Sequence, residues 1–325
     1  METNLLYNYK NVYLLALSIS ILGILFLTSC YLTQNQQASG EKTGDQLYTA
    51  SIFTPQGGFT PGIEGPAVDV DGNIYAVNFE RKSTIGKVTP EGVASIFIDL
   101  PEGSVGNGIR FNSSGDMLIA DYTGHNILKV NMKTREISIF AHEPKMNQPN
   151  DIAIGDNDIL YASDPNWKKS TGQIWRINTN GKATLLDGKM GTTNGIEVSP
   201  DGKKLYVNES VQRNVWTYDL STDGEISNKQ LFINFPDFGM DGMRCDVAGN
   251  LYITRYGKGT VVKVSPAGKI LKEIEVTGKK PSNIAFGGPD GCTCYVTLQD
   301  QGNIETFRVD VPGRSWEMFH KTNKD

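Results

Sequence analysis

One phrase, written six times, limits this chain more than any other feature. The copies are IEGPAVDVDGNIYAVN, GNGIRFNSSGDMLIAD, QPNDIAIGDNDILYASD, TNGIEVSPDGKKLYVNE, MDGMRCDVAGNLYITR and PSNIAFGGPDGCTCYVT. Each reads as a short apolar strand, a turn rich in Gly, Asp and Asn, and a second strand. A polar turn and a third strand follow: IGKVTP, ILKVNM, QIWRIN, NVWTYD, VVKVSP and IETFRV. A fourth strand, such as ASIFID or EISIFA, completes most copies. Four strands recurring at this interval are the mark of a propeller blade. The chain is therefore expected to be all-β, a six-bladed β-propeller with four-stranded blades. Its 35 glycines in 325 residues supply the many turns such a ring needs. No useful amphipathic helix is expected after residue 30. The early strand YTASIFT, Tyr48 to Thr54, is expected to close the last blade, with SWEMF near Phe319 as the alternative.

Aligning the first strand of each copy superimposes Glu64, Asn107, Asn150, Asn194, Asp241 and Asn283, at spacings of 43, 43, 44, 47 and 42 residues. In a propeller the first strand of each blade lines the central channel, so these positions form a ring around the axis. All six carry a side-chain oxygen. Two carboxylates converging without a basic partner repel one another unless a cation lies between them. Oxygen donors without His, Cys or Lys suit a hard cation. Calcium takes 6 to 8 oxygens in irregular geometry, and zinc or magnesium are the alternatives. The plain alternative is that these residues cap strand ends or hydrate the channel. The glycines around Asp241, Gly239 and Gly242, are expected to let the backbone approach the axis.

A formal charge of −5 and a pI near 5.4 argue against a nucleic-acid partner. The mature part has three cysteines, Cys245, Cys292 and Cys294, an odd number that makes a poor disulfide framework and reads as core thiols. Residues 12–27 are apolar apart from Tyr13, Ser18 and Ser20, and end in LTSC. The run is shorter than the about 20 residues of a membrane span. It resembles a lipoprotein signal, with Cys30 as the lipidated residue, and an uncleaved signal anchor is the alternative. The expected organisation is a signal peptide at 1–30, a polar tether at 31–46, the propeller domain at 47–320 and a tail at 321–325. The domain is then exported and held to the cell envelope through an N-terminal lipid. Tyr31 stands where a retention signal would place Asp, which favours the outer membrane where one exists. A monomer acting on a small molecule is expected.

The phrases EGP at Glu64, PND at Asn150, TNGI at Asn194, DGM at Asp241 and PSNIAFGG at Asn283 resemble the senescence marker protein/gluconolactonase/luciferin-regenerating-enzyme family and its relative diisopropylfluorophosphatase. The likeness runs from about Tyr48 to Val311. It implies a divalent metal at one mouth of the channel, held by Glu64, Asn194 and Asp241, with Asn150 at a position that contacts metal or substrate. It also implies hydrolysis of lactones, with organophosphates as a second class. There are departures. The phosphatase relative's second calcium uses an Asp and a His where this chain has Arg244 and Ala285. The resemblance thus implies no second metal, with Arg244 filling the space. Gln148 stands where some sugar lactonases carry Arg.

The expected chemistry is opening of a lactone, with the metal polarising the carbonyl as a Lewis acid and stabilising charge on its oxygen. Asp241 is the candidate catalytic residue, as base, nucleophile or ligand only. Asn150 and Asn107 are the candidate substrate-orienting residues. No GxSxG elbow is present. The three histidines, His125, His142 and His320, read as turn or solvated residues. Trp167 and Tyr256 are candidates for a pocket wall. Phosphotriester hydrolysis at the same metal, or ligand binding without turnover, are the competing functions.

Overall fold

The structure, a computed structural model, describes residues 47–322. The signal segment, Cys30 and the tether lie outside the described residues. Six four-stranded antiparallel sheets follow one another around a ring. Their inner strands are Ala67–Val68, Gly106–Phe111, Ile152–Ile154, Thr193–Val198, Met243–Cys245 and Pro281–Gly287, defining blades 1 to 6. The expected six-bladed propeller is what this sequence forms.

The core lies between blades rather than within one. Met117–Asp121, the second strand of blade 2, is buried throughout. Its side chains alternate between two neighbours: Met117 and Ile119 pack against blade 1, and Leu118 and Ala120 pack against blade 3. Continuous hydrophobic strands are therefore required near the axis. The outermost strands, such as Ile226–Asn234, alternate loosely and are largely exposed.

The ring closes with strands from both chain ends. Ser51–Ile52 pairs antiparallel with Asn303–Arg308, Ser51 opposite Thr306 and Ile52 opposite Glu305. This is the closure expected for the early strand, and it removes the exposed edges an open ring would leave. The alternative closing segment behaves differently. Arg314–Thr322 is an α-helix, α1. This corrects both the expectation of no helix after residue 30 and the strand reading of SWEMF. The reason is spacing. Ser315, Met318 and Phe319 recur at three and four residues and together face a small cavity at the end of the channel. Phe319 packs edge-on against Phe111, with ring centroids 6.2 Å apart. Cys245 and Cys294 are buried free thiols, whereas Cys292 is only half-buried.

Candidate metal and substrate site

Register breaks sit where the ring residues leave the inner strands. In blade 2, Gly106 pairs with Asp121 and the next pair is Ile109 with Ile119, so Asn107 and Gly108 oppose one residue. Blade 4 breaks in the same place, between Thr193 and Ile196. A bulge of this kind re-aims a side chain. Here it sends Asn107 and Asn194 into one cavity at the channel mouth.

That cavity has a volume of about 800 Å³. Glu64, Asn107, Asn150, Asn194 and Asp241 all line it. Asn283, the sixth ring member, does not. It stands behind Glu64, its Nδ2 donating to Glu64 Oε2 at 3.1 Å and its Oδ1 accepting from the Ile284 N–H at 2.9 Å. Two glycines make this packing feasible. A Cβ on Gly242 would fall 2.0 Å from Asn283 Cγ. One on Gly65, which has φ +57°, would fall 1.9 Å from the Asn107 carbonyl oxygen. The glycine after Asp241 therefore brings blade 6 against blade 5 at the axis. Gly239 has no comparable neighbour, its nearest contact being 3.5 Å.

The electrostatics of the mouth are unbalanced. Glu64 is 6 % exposed and Asp241 is 9 % exposed. Glu64 Oε2 accepts from the Gly65 N–H at 2.7 Å. Burial nevertheless pushes the Glu64 carboxyl up to about 7, against that bond and aided by the negative charge of Asp151. Burial, then the charge of Glu64, pushes Asp241 well above the usual carboxylate range, while Asn194 beside it pulls the other way. No Lys or Arg forms an ion pair with either carboxyl among the described residues. Asp241 is fixed by its backbone: its N–H donates to Thr254 O at 3.1 Å, and its carbonyl accepts from Asn208 Nδ2 at 2.6 Å. Asn194 spends its Nδ2 on Ser210 Oγ at 3.0 Å. Its Oδ1, and that of Asn107, are buried without a partner.

These observations bear on whether a metal suits the site. Two adjacent buried carboxyls that lack a cation, next to amide oxygens that lack donors, form a donor set a divalent cation would satisfy. Among the described residues no group of three or more His, Cys, Asp and Glu side chains converges. A hard cation that accepts amide oxygens fits this composition better than zinc.

One layer deeper the chain carries a second charged group that sequence reasoning found only in part. Arg244 donates to both oxygens of Asp151, at 2.8 and 3.3 Å. Arg110 lies 3.5 Å from Asp151 and 3.7 Å from Glu197. Arg314, from α1, lies 3.6 Å from Glu197 and donates to Ile154 O at 2.9 Å. All five side chains are buried. Burial raises the Asp151 carboxyl, yet Arg244 and Arg110 hold it below its usual range. Burial also brings the Arg110 guanidinium down to about 10. Arg110, Glu197 and Arg244 each lie three residues after a ring position, an offset that spans the bulge in blades 2 and 4.

Trp167 and Tyr256 both line the cavity, as does Tyr122, which sequence reasoning passed over. None of the histidines does. His125 occupies a left-handed turn, φ +56°, with Nδ1 2.6 Å from Met146 O.

The family described as "SMP-30/Gluconolactonase/LRE-like region" matches residues 43–300. A gluconolactonase of Zymomonas mobilis subsp. mobilis is 28 % identical over 286 residues, covering 77 % of this chain and 79 % of that protein. The diisopropyl-fluorophosphatase of Loligo vulgaris is 26 % identical over 295 residues, covering 81 % of this chain and 94 % of its own. Among solved structures, a calcium-binding protein, regucalcin, from Agrobacterium tumefaciens superposes with a TM-score of 0.70 at 23 % identity, over 80 % of this chain and 96 % of that one.

Proposed function

This chain belongs to the SMP-30/gluconolactonase/LRE-like family, and on that premise we propose that it is a divalent-metal-dependent lactone hydrolase. The observation that carries the metal reading is the buried Glu64–Asp241 pair, which forms no ion pair with a Lys or Arg among the described residues and is flanked by the unpartnered Oδ1 of Asn194. Glu64, Asn194 and Asp241 would hold the ion, with Asn150 as a further oxygen donor. Calcium is the first candidate, supported by the donor chemistry and by the calcium-binding regucalcin of the same fold. When bound, such an ion supplies Lewis-acid polarisation of an ester carbonyl.

The chain's own residues do the rest. Asn107 and Asn150 reach the cavity from adjacent blades and orient the substrate by hydrogen bonds. Asn283 and the Gly65 N–H hold Glu64 in place from behind. Asp241, anchored by backbone bonds on both sides, receives the proton that water loses as it attacks the carbonyl carbon, and returns it to the ring oxygen as the acyl C–O bond breaks, leaving the hydroxy acid.

The test is acid release from a δ-lactone panel, before and after chelation and with calcium restored. Chelation and Glu64→Gln should each lower turnover at least 100-fold, and Asp241→Asn should do the same at saturating calcium. Full activity in chelator, or in Glu64→Gln, would overturn the metal reading. The phosphatase relative, matched over 94 % of its length, favours a second reading, phosphotriester hydrolysis at the same residues. Release of fluoride or alcohol from phosphotriesters, without acid from lactones, would favour that reading instead. We also propose that Cys30 carries a lipid that holds the domain to the cell envelope. Fatty-acid labelling lost in Cys30→Ser tests it.

A further inference from the structure

Three large apolar side chains stand exposed around the same mouth: Trp167 at 38 %, Val211 at 56 % and Phe238 at 50 %. They come from blade 3, blade 4 and the link from blade 4 to blade 5, so they form one continuous arc of the rim. The opposite arc, from blades 6, 1 and 2, is mostly polar, with Gln299, Asn78, Lys82 and Thr123 beside Val105 and Tyr122, neither of which stands out as an exposed large hydrophobic. An exposed apolar patch concentrated on one wall of a cavity marks a ligand surface.

This arc is held rigidly rather than left loose. Trp167 opens a single 3₁₀ turn, Trp167–Lys169, whose cap Asn166 accepts from the Lys169 N–H at 3.1 Å. Gln212, next to Val211, donates to Ser170 O at 3.2 Å and accepts from the Thr192 N–H at 2.9 Å. It thereby ties the Trp167 turn to the Val211 loop. Phe238 has φ +44°, a conformation a bulky residue adopts at a cost. Its chain is pinned on the approach side, with Arg213 donating to Pro236 O at 3.0 Å and Arg255 bonded to Asp237 Oδ1 at 2.8 Å. The ring rests on Gly257, where an added Cβ would come within 3.2 Å. A strained, half-exposed phenylalanine fixed at the rim of a reactive cavity implies a contact made by substrate.

Size points the same way. A cavity of about 800 Å³ lies high in the range of roughly 300–1,000 Å³ that holds drug-sized ligands. An unsubstituted lactone ring would leave most of it to water.

We propose that the substrate is a lactone bearing an apolar alkyl or aryl substituent, which lies along Trp167, Val211 and Phe238 while the ester faces Glu64 and Asp241. The three rim residues are then specificity-determining. This inference rests on the lactone reading above and names its substrate class.

The experiment compares an unsubstituted δ-lactone, δ-lactones with alkyl chains of increasing length, an aryl-fused lactone and a polyhydroxylated sugar lactone, using the calcium-loaded full chain. The wild type should show kcat/KM rising about two- to fourfold per added methylene. Binding of the matching alkyl δ-lactams, which resist hydrolysis, should tighten along the same series in calorimetry. Phe238→Asn keeps a residue that tolerates the left-handed backbone, and Val211→Thr keeps the shape. The double variant should flatten both slopes, cutting the long-chain to unsubstituted ratio at least fivefold, with an unchanged circular dichroism spectrum. Equal or better turnover of the polyhydroxylated lactone, with no chain-length slope, would overturn this inference and leave the lactone reading standing. Failure of every lactone would overturn both.

Discussion

The channel of this propeller holds two layers of buried acid that differ in one respect. Deeper in, Asp151 and Glu197 are met by Arg244, Arg110 and Arg314. At the mouth, Glu64 and Asp241 are met by amides and by each other. Arg110, Glu197 and Arg244 lie three residues after ring positions, whereas Asp151 directly follows Asn150 and Arg314 comes from α1. The first strands of the blades and the segments leading into them therefore deliver a balanced charge cluster at one depth and an unbalanced one at the next. Buried charge is tolerated where it is paired and hydrogen-bonded, and unpaired buried charge signals a missing partner. The deeper layer carries its cations in its own sequence. At the mouth no Lys or Arg forms an ion pair with either carboxyl among the described residues, and that difference is what motivates the proposed metal.

Removing a built-in cation should produce the largest effect on stability. Arg244→Met leaves Asp151 buried with the longer Arg110 contact as its remaining ion pair and the Ile152 N–H as its remaining short hydrogen bond. Breaking such a pair typically costs about 3–5 kcal/mol. Urea denaturation at saturating calcium measures it. Arg244→Met combined with Asp151→Leu should recover most of the loss, since both charges then go together. A loss under about 1 kcal/mol in the single variant would show that the deeper layer is not balanced by this contact, and the comparison would fail on that side.

How much of this contrast could be read from the chain alone depends on spacing. The ring at the mouth was legible because each member opens a repeated phrase, and the repeat spacing fixes its place on the axis. Asn283 was legible as a ring member but not as the prop behind Glu64, because that role depends on the bare Cα of Gly242 in the adjoining blade. The deeper layer was mostly hidden. An unbroken strand repeats its faces every two residues, and only the bulge carries Arg110 and Glu197, three residues on, to the same axis. Arg244 was visible as a departure from a family pattern, without its partner Asp151. Arg314 could not be found at all, since SWEMF has strand-like residues and its helix exists only because Ser315, Met318 and Phe319 have the far end of the channel to cover.

The mouth offers the next test, through protons. In the metal-free protein the Glu64 carboxyl rises from 4.5 to about 7 on folding, through burial. The folded chain thus binds that proton more tightly than the unfolded chain. The associated stability is fully present below about pH 4.5 and is lost as pH rises through about 7, and Asp241 shifts in the same direction. The loss amounts to on the order of 3 kcal/mol. Chelated protein should therefore melt at progressively lower temperature between pH 5 and pH 8. Glu64→Gln should reduce that slope. Calcium should cancel it, because metal and protons compete for the same oxygens. A chelated protein with no slope over this range would mean that the mouth is not short of positive charge.

An exposed pair gives the baseline against which both layers are read, and it should give the smallest effect. Arg308 donates to Asp290 Oδ1 at 2.8 Å and to its second oxygen as well, with side-chain exposures of 43 % and 53 %. The bond from Arg308 holds the Asp290 carboxyl down to about 2. A depressed value reverses the sign seen at Glu64: the stability is present above about pH 3.8 and fades as pH falls toward 2. Solvent screening reduces its worth to about 1 kcal/mol or less. Asp290→Asn should therefore shift urea midpoints slightly at pH 7, less in high salt, and not at all near pH 2. The contrast with Arg244→Met isolates burial as the variable, because the two arginines form similar two-bond contacts with their aspartates. If Asp290→Asn cost as much as Arg244→Met, the size of the effect would follow from contact geometry alone, and depth in the channel would no longer explain why one acidic layer carries its own arginines.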